Sequence, residues 1–252
     1  MKDRYFTVEV TPTVTASRQH AAAFTVGDVL FDWTEVQIPK GTSKVIGATM
    51  LARAKGNAAV AANIFGSNLI FSKTNTQTLG TINSTPDKIP SNDFLGFIDL
   101  DDTNSFTSST LKSTAVGMAT RNSANASTFP NILITPSQKG DNVGFDKFYV
   151  GGQAAGAFDF RTIVRLNDAS GNMDVSVAGT TLATDGTSMD IRAHFIAGDV
   201  LHAHDDAVIG TVASVTDATD LELTANFTAG ALEDDDYVYN INPIKIILFF
   251  EQ

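Results

Sequence analysis

The sequence predicts an all-β protein: a two-sheet, jelly-roll-like β-sandwich with a small β-barrel inserted near the C-terminus. Three observations favour this class. Short segments rich in β-branched and aromatic residues recur along the chain, and turn residues separate nearly all of them. Only one segment, Ala52 to Ile64, suggests a helix. It is rich in alanine but lacks a clear apolar stripe, so helix and loop both stay open.

The first strand candidate is Tyr5 to Thr11, which partly alternates and ends before Pro12, a residue that limits its pairing. The later candidates share the same composition and the same bounding turn residues. They are Gly27 to Ile38, Lys44 to Ala54, Asn68 to Phe71, Leu95 to Leu100, Asn131 to Thr135, Phe145 to Val150, Ala157 to Val164, Met173 to Val177, Asp199 to His204, Val208 to Val215, Asp220 to Thr224, Tyr237 to Ile241 and Ile244 to Phe250.

The second candidate changes phase along its length. Val29, Phe31 and Trp33 are predicted to share one face, whereas Val36 and Ile38 are in the opposite phase. A change of phase just after Trp33 indicates a bulge, or a corner where the strand crosses between sheets. Because Trp33 lies in an apolar alternation, we predict a core residue rather than a ligand contact.

The last candidate sets the domain organisation. Ile244 to Phe250 is apolar almost throughout, which predicts a central strand that is buried on both faces. Such a strand does not suit the edge of a small barrel, so we expect it to pair within the large domain. The predicted main sandwich is therefore 1–165 plus 243–252, and the barrel insertion of about five short strands is 166–242.

Two long segments, 72–92 and 101–128, are rich in Ser, Thr, Asn and Asp and are predicted to be surface loops. Loops of this length are uncommon in a compact domain and are often functional. They could contact neighbouring proteins, together with an N-terminal arm of about Met1 to His20, or they could be simple exposed connections.

The composition excludes several function classes. The chain has 252 residues and a formal net charge of −11, with no run of Lys or Arg, so we expect no nucleic-acid partner. It has no cysteine, which excludes disulfides, thiolate nucleophiles and Cys-ligated zinc. The longest apolar stretch, Ile246 to Phe250, is too short to span a bilayer, and the first residues lack a signal-peptide pattern. We therefore expect a protein that folds in a cytoplasm, with no membrane partner.

Several stretches resemble virion structural proteins of tailed phages that infect cyanobacteria and other aquatic bacteria. They are RYFTVEVTPTV and FTVGDVLFDWTEVQIPKG near the start, NVGFDKFYVGGQAAGAFDF in the middle, and the region from Gly198 to the C-terminus. The pattern from Ile209 to Ala225 is similar to small β-barrels that recur in phage particles. The resemblance implies a structural role in the capsid or tail and supplies no catalytic residue.

The function predicted from these observations is a non-enzymatic capsid decoration, or cement, protein. It would be assembled in the host cytoplasm and located in the virion, bind the major capsid protein or another virion protein, and form a homo-oligomer, with a trimer favoured. The alternative is a tail, baseplate or fibre component that binds a host-surface glycan. Exposed rings at Tyr149, Tyr237 or Tyr239 would favour it, and they would also favour a cellular carbohydrate-binding module.

His202 and His204 are the sharpest metal candidates, because residues i and i+2 of a strand point to the same face. Asp205 and Asp206 could add oxygen ligands, and His194 is the only residue that could complete the site. A polar outer face that leads into an Asp-Asp hairpin turn is the preferred interpretation. We therefore predict no metal and no cofactor.

The other polar clusters do not form a recognised site. Glu233 to Asp236 lacks the spacing of a calcium loop, and a solvated acidic turn is preferred. Asp99, Asp101 and Asp102 receive the same interpretation. Gly151 to Gly156 lacks the order of a phosphate-binding loop and is predicted to be a flexible connection. No serine lies in a G-x-S-x-G turn, so we predict no enzyme activity.

Overall fold

A computed structural model gives the fold, and the structural statements below concern only the residues that it describes. These are 4–53, 66–87, 93–100, 105–107, 114–116, 120–123, 126–128, 130–136, 146–157, 159–160, 179–183, 191–228, 232 and 236–252. The structure is 51% β-strand and 5% helix. The helices among the described residues are one α-helix, α1 (Ala16–Ala21), and one 3-10 turn, Ile191–Ala193. The predicted all-β class is confirmed.

The described strands are between three and ten residues long. In chain order they are β1 (Tyr5–Val10), β2 (Val29–Gln37), β3 (Ser43–Ala52), β4 (Ser67–Ser72), β5 (Phe94–Leu100), β6 (Ser105–Thr107), β7 (Thr114–Val116), β8 (Thr120–Ser123), β9 (Ala126–Thr128), β10 (Ile132–Ile134), β11 (Lys147–Ala154), β12 (Thr181–Ala183), β13 (Val200–Ala203), β14 (Val208–Val215), β15 (Asp220–Leu223), β16 (Val238–Asn240) and β17 (Ile244–Glu251).

Sheet I has the strand order β1-β17-β3-β7-β6, with β10 also paired to β3, and all its pairs are antiparallel. The prediction that the apolar C-terminal segment forms a central strand is confirmed, since β17 lies between β1 and β3. The prediction that this strand is buried on both faces was wrong. Ile244, Ile246, Leu248 and Phe250 are buried, whereas Ile247 and Phe249 on the other face are only half-buried.

Sheet II has the order β2-β11-β4-β5 and is also antiparallel. Its central strand β11 contains Gly151 and Gly152, so the prediction of a flexible glycine connection there was wrong.

The prediction of a surface loop over 101–128 was also partly wrong, because β6, β7, β8 and β9 lie within this segment. Strands β8 and β9 pair with each other as a separate hairpin. The helix candidate, Ala52 to Ile64, lies outside the described residues except for Ala52 and Arg53.

Sheets I and II share one hydrophobic core. Phe148 of β11 contacts Phe250 of β17 edge to face, with ring centroids 6.0 Å apart, and it contacts Phe71 of β4 at the same distance. Phe6 of β1 stacks on Phe250 at 4.9 Å. These four rings form a row across the core, and each pair adds a favourable ring contact to the area that it buries.

Sheet III has the order β12-β15-β14-β13-β16. Strand β14 pairs with β13 through its first half and with β15 through its second half. The outer strands β12 and β16 are not paired with each other in the part of the chain described, so the predicted barrel is not closed there. The strands predicted over 157–164 and 173–177 fall almost wholly outside the described residues, and the boundaries of the predicted insertion stay a prediction.

The N-terminal segment is tied to its own chain rather than forming an arm. Strand β1 pairs with β17, and the N–H of Val14 donates to the carbonyl of Ile241 at 2.8 Å. Gln19 of α1 is fully buried and donates to the carbonyls of Val14 and Asn240 at 2.7 and 2.9 Å. The predicted contact arm therefore acts, from Tyr5 onward, as a strap between sheets I and III.

Candidate functional site

The four predicted metal candidates make separate contacts at the hairpin between β13 and β14. Nδ1 of His202 lies 3.1 Å from the carbonyl oxygen of Asp206, whereas Nδ1 of His204 lies 4.0 Å from Oδ1 of Asp236. The Asp205 carboxylate accepts from the N–H of Ala207 at 3.0 Å. The two imidazoles therefore face different partners instead of one shared ion.

The remaining carboxylate of this turn binds helix α1. Asp206 accepts from the N–H of Ser17 at 2.9 Å and from its hydroxyl at 2.6 Å. Its φ of 73° is the left-handed conformation that Asp tolerates in tight turns. Across the described ranges, no group of three or more His, Asp or Glu side chains is placed to hold a metal ion. His194 is buried and packs beside Phe195.

His20 was not singled out by the sequence, yet it joins the predicted residues into an aromatic cluster. Its Nδ1 lies 2.7 Å from the hydroxyl oxygen of Tyr239. Its ring centroid is 5.2 Å from that of His204 and 5.8 Å from that of Tyr237. No local pattern could reveal this contact, because the partners are about two hundred residues apart. The cluster attaches α1 to sheet III, which is a structural role.

The tyrosines proposed as a clue to glycan binding are mostly inside the protein. Tyr149 is 4% exposed and Tyr239 is fully buried, so neither presents its ring to a ligand. Tyr237 is half-buried beside His20. Asp99 lies on β5 opposite Asn68, and Asp101 and Asp102 lie outside the described residues, as do Glu233, Asp234 and Asp235.

The outer face of sheet II is partly covered by the segment that follows β4. Leu79 and Ile82 pack over Val29, Ile70 and Trp33, so they form a second, smaller hydrophobic cluster. Trp33 packs against this smaller cluster but is only half-buried, so it lies at the edge of the cluster and outside the main core. Phe31 instead belongs to the main core, because register shifts between β2 and β11 reverse the alternation on either side of it. The prediction that Val29, Phe31 and Trp33 share one face was therefore wrong.

Away from Leu79 and Ile82, the outer face of sheet II carries the exposed rings of Phe94 and Phe97, which we call the aromatic surface. Phe94 is 47% exposed and Phe97 is 58% exposed. They line a shallow groove of about 220 Å³ together with Asn68, Ile70 and Gln153. The Asn68 amide donates to Oε1 of Gln153 at 3.4 Å, so two amides border the rings.

A β-bulge places both rings on one face. Residues three apart in a regular strand point to opposite faces. In β5, Phe94 pairs with Ser72 and Gly96 pairs with Phe71, so one extra residue, Leu95, is inserted between them. Gly96 has a φ of 154°, which its lack of a side chain permits. Simple alternation therefore could not have identified this surface from the sequence.

Comparisons with protein-family models, with curated proteins and with solved structures found nothing that matches this chain. Within the described part, no helix is long and apolar enough to cross a membrane. The aromatic surface offers two exposed rings on a hydrogen-bonded sheet, beside the amides of Asn68 and Gln153 and with Asp99 opposite Asn68 on β5.

Proposed function

We propose that this chain is a structural protein of a tailed-phage particle, and that it decorates the outside of the head by binding the major capsid protein. Four features support the proposal. The quoted stretches resemble phage virion proteins, the fold is all-β, the chain is acidic, and the described residues present an aromatic surface on a rigid sheet. Located in the virion, the protein needs neither a cofactor nor catalytic activity for this role.

The aromatic surface is the observation on which the proposal depends. Exposed aromatic rings are enriched at protein interfaces, where they act as anchors that fill pockets of the partner. The ladder between β4 and β5 fixes the backbone that carries Phe94 and Phe97, so no backbone segment has to be ordered on binding. Asn68 and Gln153 beside the rings offer amide donors and acceptors to a partner, and Asp99, which pairs with Asn68, adds a carboxylate at the edge of this surface.

A single surface of this size binds weakly, and a lattice overcomes that weakness. Several copies held together, with a trimer favoured, would engage several capsid subunits at once, and linked binding events raise the overall affinity by a factor of about 10² to 10⁴. The proposed partners are therefore the major capsid protein and further copies of this chain, without nucleic acid or membrane.

Reattachment to heads that lack the protein tests the proposal. The wild-type chain is expected to co-sediment with such heads, and the double variant Phe94→Ser/Phe97→Ser is expected to lose most of this binding. Val208→Ser is the matched control, because Val208 is 65% exposed and lies on β14 of sheet III. A wild-type chain that does not bind the heads would overturn the proposal, as would full binding by the double variant.

The second candidate is a tail, baseplate or fibre component that binds a host glycan. A groove on the outer face of sheet I, lined by the rings of Tyr5 and Phe249, favours this candidate. A reconstruction of the particle separates the two candidates, since density on the head lattice supports decoration and density at the tail supports host attachment.

We also propose the finer architecture that the sequence predicts. Sheets I and II, with their common core, would form a jelly-roll-like sandwich, and 166–242 would be a small barrel-like insertion. The register shifts of β14 against both β13 and β15 support the second part, because bulges bend a strand and so help a small sheet to curve towards a barrel.

A further inference from the structure

The outer face of sheet I contains a groove of about 700 Å³, which lies within the usual range for ligand sites. Its lining mixes rings and polar groups. Tyr5 of β1 and Phe249 of β17 supply the rings, Lys44 and Glu251 supply charges, and Pro130 with Asn131 lies just before β10. Phe249, one of the two half-buried outer apolar residues of β17, thus borders an open groove.

The two rings are held in a fixed relationship by the strand register. Tyr5 pairs with Glu251, and Thr7 pairs with Phe249, so the rings are diagonal neighbours on one face of adjacent strands. Tyr5 is 63% exposed. The backbone beneath them is anchored, because Phe6 and Phe250 stack on the opposite face with ring centroids 4.9 Å apart.

The charged groups of the groove neutralise each other. Nζ of Lys44 lies 2.6 Å from Oε2 of Glu251, and the hydroxyl of Tyr5 donates to Oε1 at 3.4 Å. The hydrogen bond and the positive charge of Lys44 hold the pKa of Glu251 below its usual value. The pair therefore presents both donors and acceptors without adding net charge to the groove.

We infer that this groove binds a neutral oligosaccharide. A pyranose ring has an apolar face of C–H groups that can lie on an aromatic ring, whose face is electron-rich. Its edge carries hydroxyls that both donate and accept, which matches a Lys–Glu pair and the exposed amide of Asn131. An acidic sugar is disfavoured, since Lys44 is already paired and the chain carries a net charge of −11.

This inference does not depend on the proposed decoration of the head. The groove lies on sheet I, whereas the aromatic surface lies on sheet II, so each can be altered without touching the other. Loss of sugar binding with normal attachment to heads would concern the groove alone. Failure to attach to heads with sugar binding intact would overturn the decoration proposal alone.

The test is binding of the full chain to a printed array of neutral and acidic oligosaccharides, followed by titration of the strongest neutral binder in saturation-transfer NMR. We expect concentration-dependent binding to neutral oligosaccharides. Tyr5→Ala is expected to weaken it about tenfold or more, because it removes an exposed ring. Tyr5→Phe keeps the ring and is expected to stay within about threefold of wild type, since only one long hydrogen bond is lost.

Ile196→Ala is the matched control, because Ile196 is 62% exposed, much as Tyr5 is, and lies before β13 away from the groove, so the variant should leave sugar binding unchanged. Tyr5 is exposed on strand β1, so the alanine variant is expected to fold, and its circular dichroism melt verifies this. Three results would overturn the inference: no neutral oligosaccharide binds, an acidic one binds more tightly than every neutral one, or Tyr5→Ala binds as well as wild type.

Discussion

Arg53 and Asp199 are joined by a two-point salt bridge between sheets I and III. Nη1 of Arg53 lies 2.7 Å from Oδ2 of the carboxylate, and Nη2 lies 3.1 Å from Oδ1. The side chains are only 22% and 14% exposed, and Asp199 also accepts from the N–H of Ile196 at 2.9 Å. The bridge therefore fixes the residue that follows β3 against the turn that precedes β13.

We predict that Arg53→Gln lowers the free energy of unfolding by about 1–3 kcal/mol, because it leaves a mostly buried carboxylate without its charged partner. Urea denaturation followed by circular dichroism measures the change. Lys245→Gln is the matched control, since the Lys245–Glu9 pair is equally short at 2.7 Å but its side chains are 45% and 61% exposed. That variant should lose only about 0–1 kcal/mol. Equal losses in the two variants would contradict the role given to burial.

The second prediction concerns Gly152 in the centre of sheet II. A Cβ atom at this position would overlap the ring of Phe31, which lies flat over the glycine in the main core. Gly152→Ala is expected to destabilise the protein by about 1–3 kcal/mol, because the ring cannot move aside in a close-packed core. Thermal melting measures this loss.

Gly179→Ala is the control for that prediction. A Cβ atom there would lie 3.6 Å from the Phe227 ring, an ordinary contact. The variant is expected to stay within about 1 kcal/mol of wild type and can gain slightly, because alanine restricts the unfolded chain. If Gly152→Ala melts at the same temperature as Gly179→Ala, the steric explanation is wrong.

The sequence predicted well those parts of the fold in which hydrophobicity alone decides the outcome. The all-β class and the central position of Ile244–Glu251 follow from a run of apolar β-formers, which is stable only inside a sheet. Strands β6 to β9 escaped prediction because they are only three or four residues long, too short to show an alternation. Gly151 and Gly152 resemble a loop in sequence, but the rings of Trp33 and Phe31 fill the space above them.

The candidate surfaces were harder to predict, because each depends on register or on distant pairing. Phe94 and Phe97 share a face only because of the bulge at Leu95. His20 meets Tyr239 only because α1 packs on β16. The tyrosines proposed for ligand contact are mostly buried, whereas Tyr5, which the sequence left unremarked, is exposed. Strand propensity identifies the strand and not the side that faces solvent.

The third prediction tests the strap formed by the N-terminal segment. Gln19→Leu removes both hydrogen bonds that the buried amide donates to the carbonyls of Val14 and Asn240. We expect a loss of about 1–3 kcal/mol, because two carbonyls are left without these donors in the core. Hydrogen exchange at the Val14 amide, which bonds to Ile241, should accelerate.

Gln37→Leu is the control for the strap, since Gln37 is exposed and makes only one 3.5 Å contact, to Glu35. It is expected to change stability by no more than about 0.5 kcal/mol. Unchanged exchange at Val14 in Gln19→Leu would show that the segment is held by its apolar residues alone.

The last prediction concerns pH and Glu251. Lys44 holds the pKa of this carboxyl below the 4.5 of an unperturbed glutamate, first through the hydrogen bond and then through its charge. A depressed pKa in the folded state means that the ionised form stabilises the fold above about pH 4.5. This stabilisation is lost as the pH falls through the folded pKa.

Glu251→Gln should therefore reduce the dependence of the stability on pH below about pH 4.5. Lys44→Met should have the same effect, because it removes the main cause of the lowered pKa. Urea midpoints between about pH 2 and 5 measure this dependence. Parallel curves for wild type and both variants would show that the pair does not couple to folding.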